Sequence, residues 1–139
     1  MRFMIFVRAD ADTEAGRFPE ERARQKLIAD MAEYTRALKR AGALLDGAGL
    51  EPSATGWRVQ HSGGRQTVMD GPFAETRELI AGYTLIDVKA REEALEWSRR
   101  FPCPTGEGGT AAIEVRPLYE LDDFGPGEAI ERLREMRLR

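Results

Sequence analysis

Apolar and polar positions alternate along this chain in two periods, one typical of strands and one typical of helices. Residues 2–8 are rich in β-branched and aromatic side chains and predict a buried strand. In residues 18–42 the apolar side chains recur at steps of three and four, which predicts a helix. Pro19 is expected in its first turn and Gly42 as its left-handed stop. The stripe consists of Leu27, Met31, Tyr34, Leu38 and Ala41.

Glycine and proline divide the rest of the chain into further elements. Two short apolar runs flank Gly63 and Gly64, which predicts a β-hairpin. A second helix is expected where Ala94 and Trp97 share one face, with acidic residues early and arginines late. The expected elements are strands at 43–50, 56–62, 65–70, 80–89 and 110–121, the second helix at 90–101, and a charged helical tail at 125–139.

The predicted order is β-α-β, hairpin, β-α-β. Two such units with right-handed crossovers give an α+β, ferredoxin-like sandwich with an inserted β-hairpin and both helices on one face. The opposite face needs a cover, so we expect two sheets to pair in a homodimer. A doubly wound fold is less favoured, because only two long helices are expected. The domain is expected to span residues 1–124, and 125–139 to form the tail.

Composition narrows the classes of partner. The chain has 139 residues, 42% of them hydrophobic and 32% charged, with a net charge of -3. Such a balance predicts one soluble domain and lacks the concentrated basic surface that nucleic acid requires. The apolar run before Arg8 is too short for a signal segment or a membrane span, and Cys103 is the only cysteine. We therefore expect a cytoplasmic protein that binds neither membrane nor nucleic acid directly.

Metal and cofactor sites are not predicted. His61 and Cys103 are the only imidazole and thiol, too few for a zinc site within one chain. Cys103 stands between prolines with no cation beside it in sequence, so a structural cysteine is favoured over a nucleophile. The serines lack a nucleophile-elbow context, and the glycine-rich pieces lack the spacing of phosphate loops.

His61 is the one candidate for imidazole catalysis. The expected hairpin pairing puts it beside Arg65 or Gln66 near the turn, while Asp70 lies at the opposite end. A pair of His61 and Asp70 within one subunit is therefore not expected, and an exposed turn histidine is favoured.

The stretch "MDGPFAETREL", residues 69–79, combines a proline corner with several ionisable groups. Asp70 is expected to accept backbone N–H groups of its own turn, which Gly71 and Pro72 shape. A purely structural corner and a functional loop are both open. In the functional case Asp70 is the general base or orienting carboxylate. Phe73 and Tyr83 would be apolar walls, and Glu75 and Arg77 polar contacts.

Residues 70–88, "DGPFAETRELIAGYTLIDV", resemble the signature of DGPF-type proteins of the YCII-related family. Supporting pieces are "RFMIFVRAD", "AGALLDGAGLEPS", "EEALEWSRRFP" and "IEVRPLYELDDF", so the likeness covers residues 1–124. The resemblance implies a ferredoxin-like subunit in a dimeric α/β barrel. It also implies a His–Asp pair in the cleft. In the family, the histidine of this pair lies near the start of the first long helix. This chain reads "FPEERARQKL" there and has no histidine, so only the aspartate of the pair could be present, as Asp70.

Two hypotheses of function follow. The first is an enzyme or degenerate enzyme that binds an unknown small molecule in a pocket near the DGPF loop, between sheet and helices or at the dimer interface. The alternative is a non-catalytic binding or accessory module associated with sigma-factor-dependent transcription. The resemblance implies this role, since similar domains accompany extracytoplasmic-function sigma factors. The apolar stripe Ile130, Leu133 and Met136 in the tail also points to docking, more readily on its own dimer than on a partner.

Overall fold

The computed structural model describes residues 1–136, which form six strands and four α-helices. The strands are β1 (Arg2–Arg8), β2 (Leu44–Gly49), β3 (Trp57–Ser62), β4 (Arg65–Asp70), β5 (Ile80–Asp87) and β6 (Ile113–Pro117). The helices are α1 (Ala11–Glu14), α2 (Glu21–Arg40), α3 (Arg91–Arg99) and α4 (Glu128–Glu135). Short 3-10 turns lie at Ser53–Thr55, Thr76–Glu78 and Leu121–Phe124. Within residues 1–136 no helix combines the length and apolar character needed to cross a membrane.

Four of the strands form one antiparallel sheet in the order β2-β5-β1-β6. Each β-α-β unit therefore leaves a gap of one strand, and a strand of the other unit fills it. Strands β3 and β4 pair separately around the turn at Gly63 and Gly64, both with positive φ. The expected α+β element order and the inserted hairpin are confirmed.

The hydrophobic core lies on one face of the sheet. Ile5 of β1, Ile86 of β5 and Leu38 of α2 are fully buried. Tyr34 of α2 and Trp97 of α3 join this cluster, and the Tyr34 hydroxyl donates to the Trp97 carbonyl oxygen at 2.8 Å. Since residues from α2 and α3 meet the same strand positions, both long helices cover one face, as their apolar stripes predicted.

The second face of the sheet carries the alternate residues of β1 and β5. Met4 lies opposite Leu85 and Phe6 opposite Tyr83 in the register, so these four side chains point away from Ile5. The sheet of one chain is open, with β2 and β6 as its edges. The expected dimeric barrel concerns a second copy of the chain and is therefore taken up as a proposal.

Several elements begin or end at other residues than the sequence predicts. Residues 11–14, which the sequence pattern assigns to no element, form α1, because the Asp10 side chain accepts from Thr13 N while the Thr13 hydroxyl accepts from Asp10 N, each at 2.8 Å. Pro19 precedes α2 and lies outside its first turn, since Glu20 is still extended at ψ 159. Strand β6 covers only the residues that pair with β1, Ile113–Pro117. Helix α4 lies inside the predicted tail, of which 137–139 fall outside the described residues.

Candidate functional site

The corner after β4 packs directly on the 3-10 turn at 53–55. Gly71 N donates to Gly56 O, and Phe73 N donates to the Ser53 hydroxyl, both at 3.0 Å. A Cβ at Gly71 would stand 1.8 Å from Ser53 O, so only glycine fits this approach. The Gly71–Pro72 peptide is cis. The expected Asx turn at Asp70 is wrong, because Gly56 O and Ser53 Oγ take the N–H groups of the corner.

A carboxylate from α1 completes this contact. Ser53 N donates to Glu14 Oε1 at 3.0 Å, and the Ser53 hydroxyl donates to Glu14 Oε2. Glu14 thus ties the end of α1 to the turn, and the turn to the corner. We call this group of Glu14, Ser53, Gly71 and Phe73 the corner latch. Glu14 is distant in sequence from the other members, so no local pattern pointed to it.

Asp70, Phe73 and Glu75 lie around the foot of the hairpin. Asp70 is exposed opposite Trp57, and its carboxylate has no hydrogen bond or ion pair within residues 1–136. Phe73 is half-buried, and the Arg58 guanidinium carbon lies 3.8 Å from the centre of its ring. Glu75 is exposed. Of these three side chains, the corner latch positions Phe73.

Arg77 lies elsewhere, in a charged cleft of about 580 Å³ at the end of β1. Its carbonyl oxygen accepts from Arg8 Nη2, while Arg8 Nη1 is 3.1 Å from Glu114 Oε1. The Arg77 side chain therefore lies in a cleft with Arg8, whose charge is paired with that of Glu114, and not beside Asp70.

The hairpin register confirms the prediction for His61. His61 pairs with Gln66 beside the turn, and Asp70 pairs with Trp57 at the other end. Both residues are exposed. The register thus holds His61 and Asp70 at opposite ends of the hairpin in one chain.

Cys103 lines a second charged cleft, of about 670 Å³, together with Lys26 and Arg100. Its sulfur lies 3.4 Å from Thr105 Oγ1 and 3.6 Å from Gly109 O. The hydrogen bond with Thr105 is the main cause that lowers the pKa of the Cys103 thiol. Lys26 reaches this cleft only through the fold, because it lies far from Cys103 in the sequence.

A largely apolar cavity lies between the sheet and α2, and we call it the sheet–helix cleft. Its volume is about 690 Å³. Val7, Gly82 and Thr84 form the floor on the sheet. The walls are Leu27 and Met31 of α2 together with Phe101 and Pro104 beyond α3.

Tyr83 is among the residues that line this cleft, but its side chain points to the opposite face of the sheet, because it pairs with Phe6. Its hydroxyl donates to Asp46 Oδ2 at 2.9 Å, and Gly47 N donates to Asp46 Oδ1 at 2.8 Å. The hydrogen bond with Asp46 raises the pKa of Tyr83. The Tyr83 side chain therefore bonds to Asp46 on the sheet face without helices, whereas an apolar wall of a pocket is expected from the sequence. The candidate site residues are distributed over three places: the hairpin foot, the cleft at Arg77 and this second face of the sheet.

Glycines and a register shift keep the sheet–helix cleft open. Gly82 is buried opposite Gly49, and a Cβ there would lie 3.0 Å from Ala48 O. The β2–β5 register shifts between Leu44 and Asp46. In the sequence, the glycines of β2 only interrupt a short apolar run. Their effect on the cleft depends on α2 crossing above them, so the sequence carried no signal for Thr84 or Met31 as lining residues.

The corner latch and the sheet–helix cleft share α1. Thr13 lines the cleft, and the next residue, Glu14, holds Ser53 and through it the corner. The DGPF corner thus braces the short helix that closes one end of the cleft. For the part of the chain up to residue 136, no cluster of three or more His, Cys, Asp or Glu side chains is placed to hold a metal ion.

Comparison with known proteins identifies the family of the chain. The sequence model of the YCII-related domain matches residues 1–120. An uncharacterized protein of Rhizobium meliloti (strain 1021) is 37% identical over 104 residues, which cover 75% of this chain and 80% of that protein.

Proposed function

The chain belongs to the YCII-related family, and from that premise we propose that it binds a small molecule in the sheet–helix cleft, as an enzyme or a degenerate enzyme. The DGPF corner has a supporting role in this proposal. It holds α1, and Thr13 of α1 borders the cleft.

The observation that carries the proposal is the cleft itself. Its volume of about 690 Å³ lies within the range of small-molecule sites, roughly 300–1,000 Å³. Its lining is mostly aliphatic and aromatic, with a few polar groups such as Thr84 and Thr35. Binding sites commonly combine an apolar lining with a few orienting polar groups. The clefts at Arg77 and at Cys103 contain several charged side chains, among them Arg8, Lys26 and Arg100.

A fragment screen by ligand-observed NMR tests the proposal. We expect fragments with Kd values near or below about 1 mM in the wild type. Thr84→Phe fills the floor of the cleft and should abolish their binding, whereas Thr67→Phe, the same change on the exposed hairpin, should not. Met31→Phe fills the cleft from the opposite wall if Thr84→Phe fails to fold. Fragments that still bind both cleft-filling variants would refute the assignment.

Catalysis is proposed only through Asp70, and its exposure sets a condition. Asp70 is exposed, so a substrate or a second copy of the chain would have to lie against it before its carboxylate could act as a base. Asp70→Asn should then abolish turnover while leaving the corner latch intact, because Asp70 makes none of its hydrogen bonds. Turnover that survives Asp70→Asn would remove Asp70 from the mechanism.

We also propose that two copies pair into a dimeric α/β barrel through the face that carries Met4, Phe6 and Leu85. Neither long helix packs on this face. The β3–β4 hairpin supports the idea too. Isolated two-stranded hairpins are marginally stable, and here Trp57 and Val68 are 67% and 65% exposed.

Light scattering after size-exclusion chromatography tests this pairing. Phe6→Glu puts a charge in the middle of the proposed interface and should yield monomers. Ile28→Glu, on a side chain that is 62% exposed on α2, should leave the dimer intact. A wild-type monomer at micromolar concentration would refute the pairing.

The accessory-module hypothesis has less support from the contacts of the tail. Ile130 and Leu133 are half-buried within the chain, and Arg134 Nη2 lies 2.8 Å from Asp122 Oδ1. These contacts favour docking of α4 on its own subunit. Recovery of a sigma factor with the protein from its native host would restore the hypothesis.

A further inference from the structure

The lining of the sheet–helix cleft contains almost no charged side chains. Among the described residues that line it, none is Lys, Arg or His, and Asp46 is the one with a full charge. Asp46 pairs with Leu85, so its carboxylate lies on the opposite face of the sheet, where the Tyr83 hydroxyl and Gly47 N donate to its two oxygens. An anionic ligand would therefore find no cation in the cleft.

Two hydroxyl groups provide the free polar contacts of the cleft. Thr84 lies opposite Ile5 in the register, and Ile5 is fully buried on the helix side, so the Thr84 side chain faces α2. Thr35 of α2 lines the same cleft. Neither hydroxyl has a hydrogen-bond partner within residues 1–136. Hydroxyl groups can donate and accept, so they suit a neutral alcohol or carbonyl group.

The surroundings of these hydroxyls are apolar. Leu27, Met31 and Phe101 line the walls, and Val7 lies on the floor beside Gly82. Transfer of an apolar ligand body from water into this cleft is favourable. Burial of a charge without a partner has a large desolvation cost. An ammonium group would gain little from Asp46, because that carboxylate is exposed on the other face of the sheet.

We propose that the sheet–helix cleft takes an uncharged, largely apolar molecule that carries a hydroxyl or carbonyl group, and that Thr84 is the residue that hydrogen-bonds to this group. The inference rests on the proposed function, because it assigns a ligand class to the same cleft. It excludes small carboxylates and phosphates as ligands of this cleft.

Three probes of one shape and different charge test the ligand class: cyclohexanol, cyclohexanecarboxylate and cyclohexylamine, titrated at pH 7 into the full chain by ligand-observed NMR. We expect cyclohexanol to bind about tenfold more tightly than the carboxylate, and more tightly than the amine. A carboxylate or amine that binds as tightly as the alcohol overturns the inference.

Two variants test the residues. Thr84→Val keeps the shape of the side chain and removes the hydroxyl, so it should weaken cyclohexanol binding roughly threefold to tenfold, while Thr67→Val on the hairpin should not. Thr35→Lys supplies the missing cation at an exposed position of α2, and it should strengthen carboxylate binding about tenfold. Unchanged affinities in both variants would overturn the assignment of ligand class and contacts.

The two proposals fail in different ways. If charged fragments bind the wild type and lose binding in Thr84→Phe, the cleft is a binding site and only the ligand class is wrong. If no fragment responds to the cleft-filling variants, the proposed function itself is wrong.

Discussion

Substitution of Gly71 by alanine should loosen the DGPF corner by steric overlap. The new Cβ would stand 1.8 Å from Ser53 O and 2.6 Å from Ser53 C, and both atoms belong to the backbone. Real contacts of this kind stay beyond 3.0 Å, so the corner and the 53–55 turn must separate by more than 1 Å. No side-chain rotation can relieve the overlap.

The size of the effect follows from the contacts that this movement breaks. Two neutral hydrogen bonds close the corner, from Gly71 N to Gly56 O and from Phe73 N to Ser53 Oγ. Two more join Ser53 to the Glu14 carboxylate. Net values are about 0.5–1.5 kcal/mol for a neutral hydrogen bond and about 1.5–3 kcal/mol for one with a charged partner. Because the corner is half-buried and water replaces part of the loss, we expect a decrease of about 2–3 kcal/mol in the free energy of unfolding.

Urea unfolding followed by circular dichroism measures this loss, and Gly56→Ala is the matched control. Gly56 lies at the same corner with φ -115, and its Cβ would be 3.8 Å from Ser53 O, an ordinary contact. We expect the control to stay within about 0.5 kcal/mol of the wild type. Amide hydrogen exchange at Phe73 reports local loosening if the global transition hides it. A Gly71→Ala protein with wild-type stability and wild-type exchange at Phe73 would refute the steric argument.

Three further predictions concern the core, the first helix and alkaline stability. Burial raises the pKa of Tyr34 to about 12, so the folded state keeps the neutral phenol. Its contribution to stability is full below pH 10, decreases by ~1.4 kcal/mol per pH unit as the unfolded phenol ionises, and levels off above about pH 12. Urea unfolding across this range should show that Tyr34→Phe removes this dependence, whereas Tyr119→Phe, at a side chain 75% exposed, preserves it. Leu38→Ala should lower the unfolding free energy by about 2–5 kcal/mol and Ile28→Ala, on the outer face of α2, by less than about 0.5 kcal/mol; equal losses would contradict the assigned core. Asp10→Ala removes the cap of α1, so it should lower the free energy of unfolding by about 1 kcal/mol and raise the amide exchange rate of Thr13. An unchanged exchange rate would contradict the capping box.

Much of the fold was predictable because it depends on local periodicity. The spacing of Tyr34 and Leu38 predicted the buried stripe of α2, and Gly63–Gly64 predicted both the hairpin and the position of His61 beside Gln66. Boundaries were harder, because α1 depends on one capping box between Asp10 and Thr13 that lies in a polar stretch. The match of the YCII-related domain to residues 1–120 agrees with the resemblance of the DGPF stretch.

The candidate site depended on tertiary structure to a greater degree. The sequence by itself determined the element order, the α+β class and the identity of "DGPF" as a proline corner. Only the folded chain decided that Glu14 and Ser53 hold this corner, that Asp70 stays exposed, and that Gly82 lies on the floor of an apolar cleft. The physical reason is range: turns and helices follow from neighbours in sequence, whereas a latch or a cleft requires residues that only the packing of α1 and α2 on the sheet brings together.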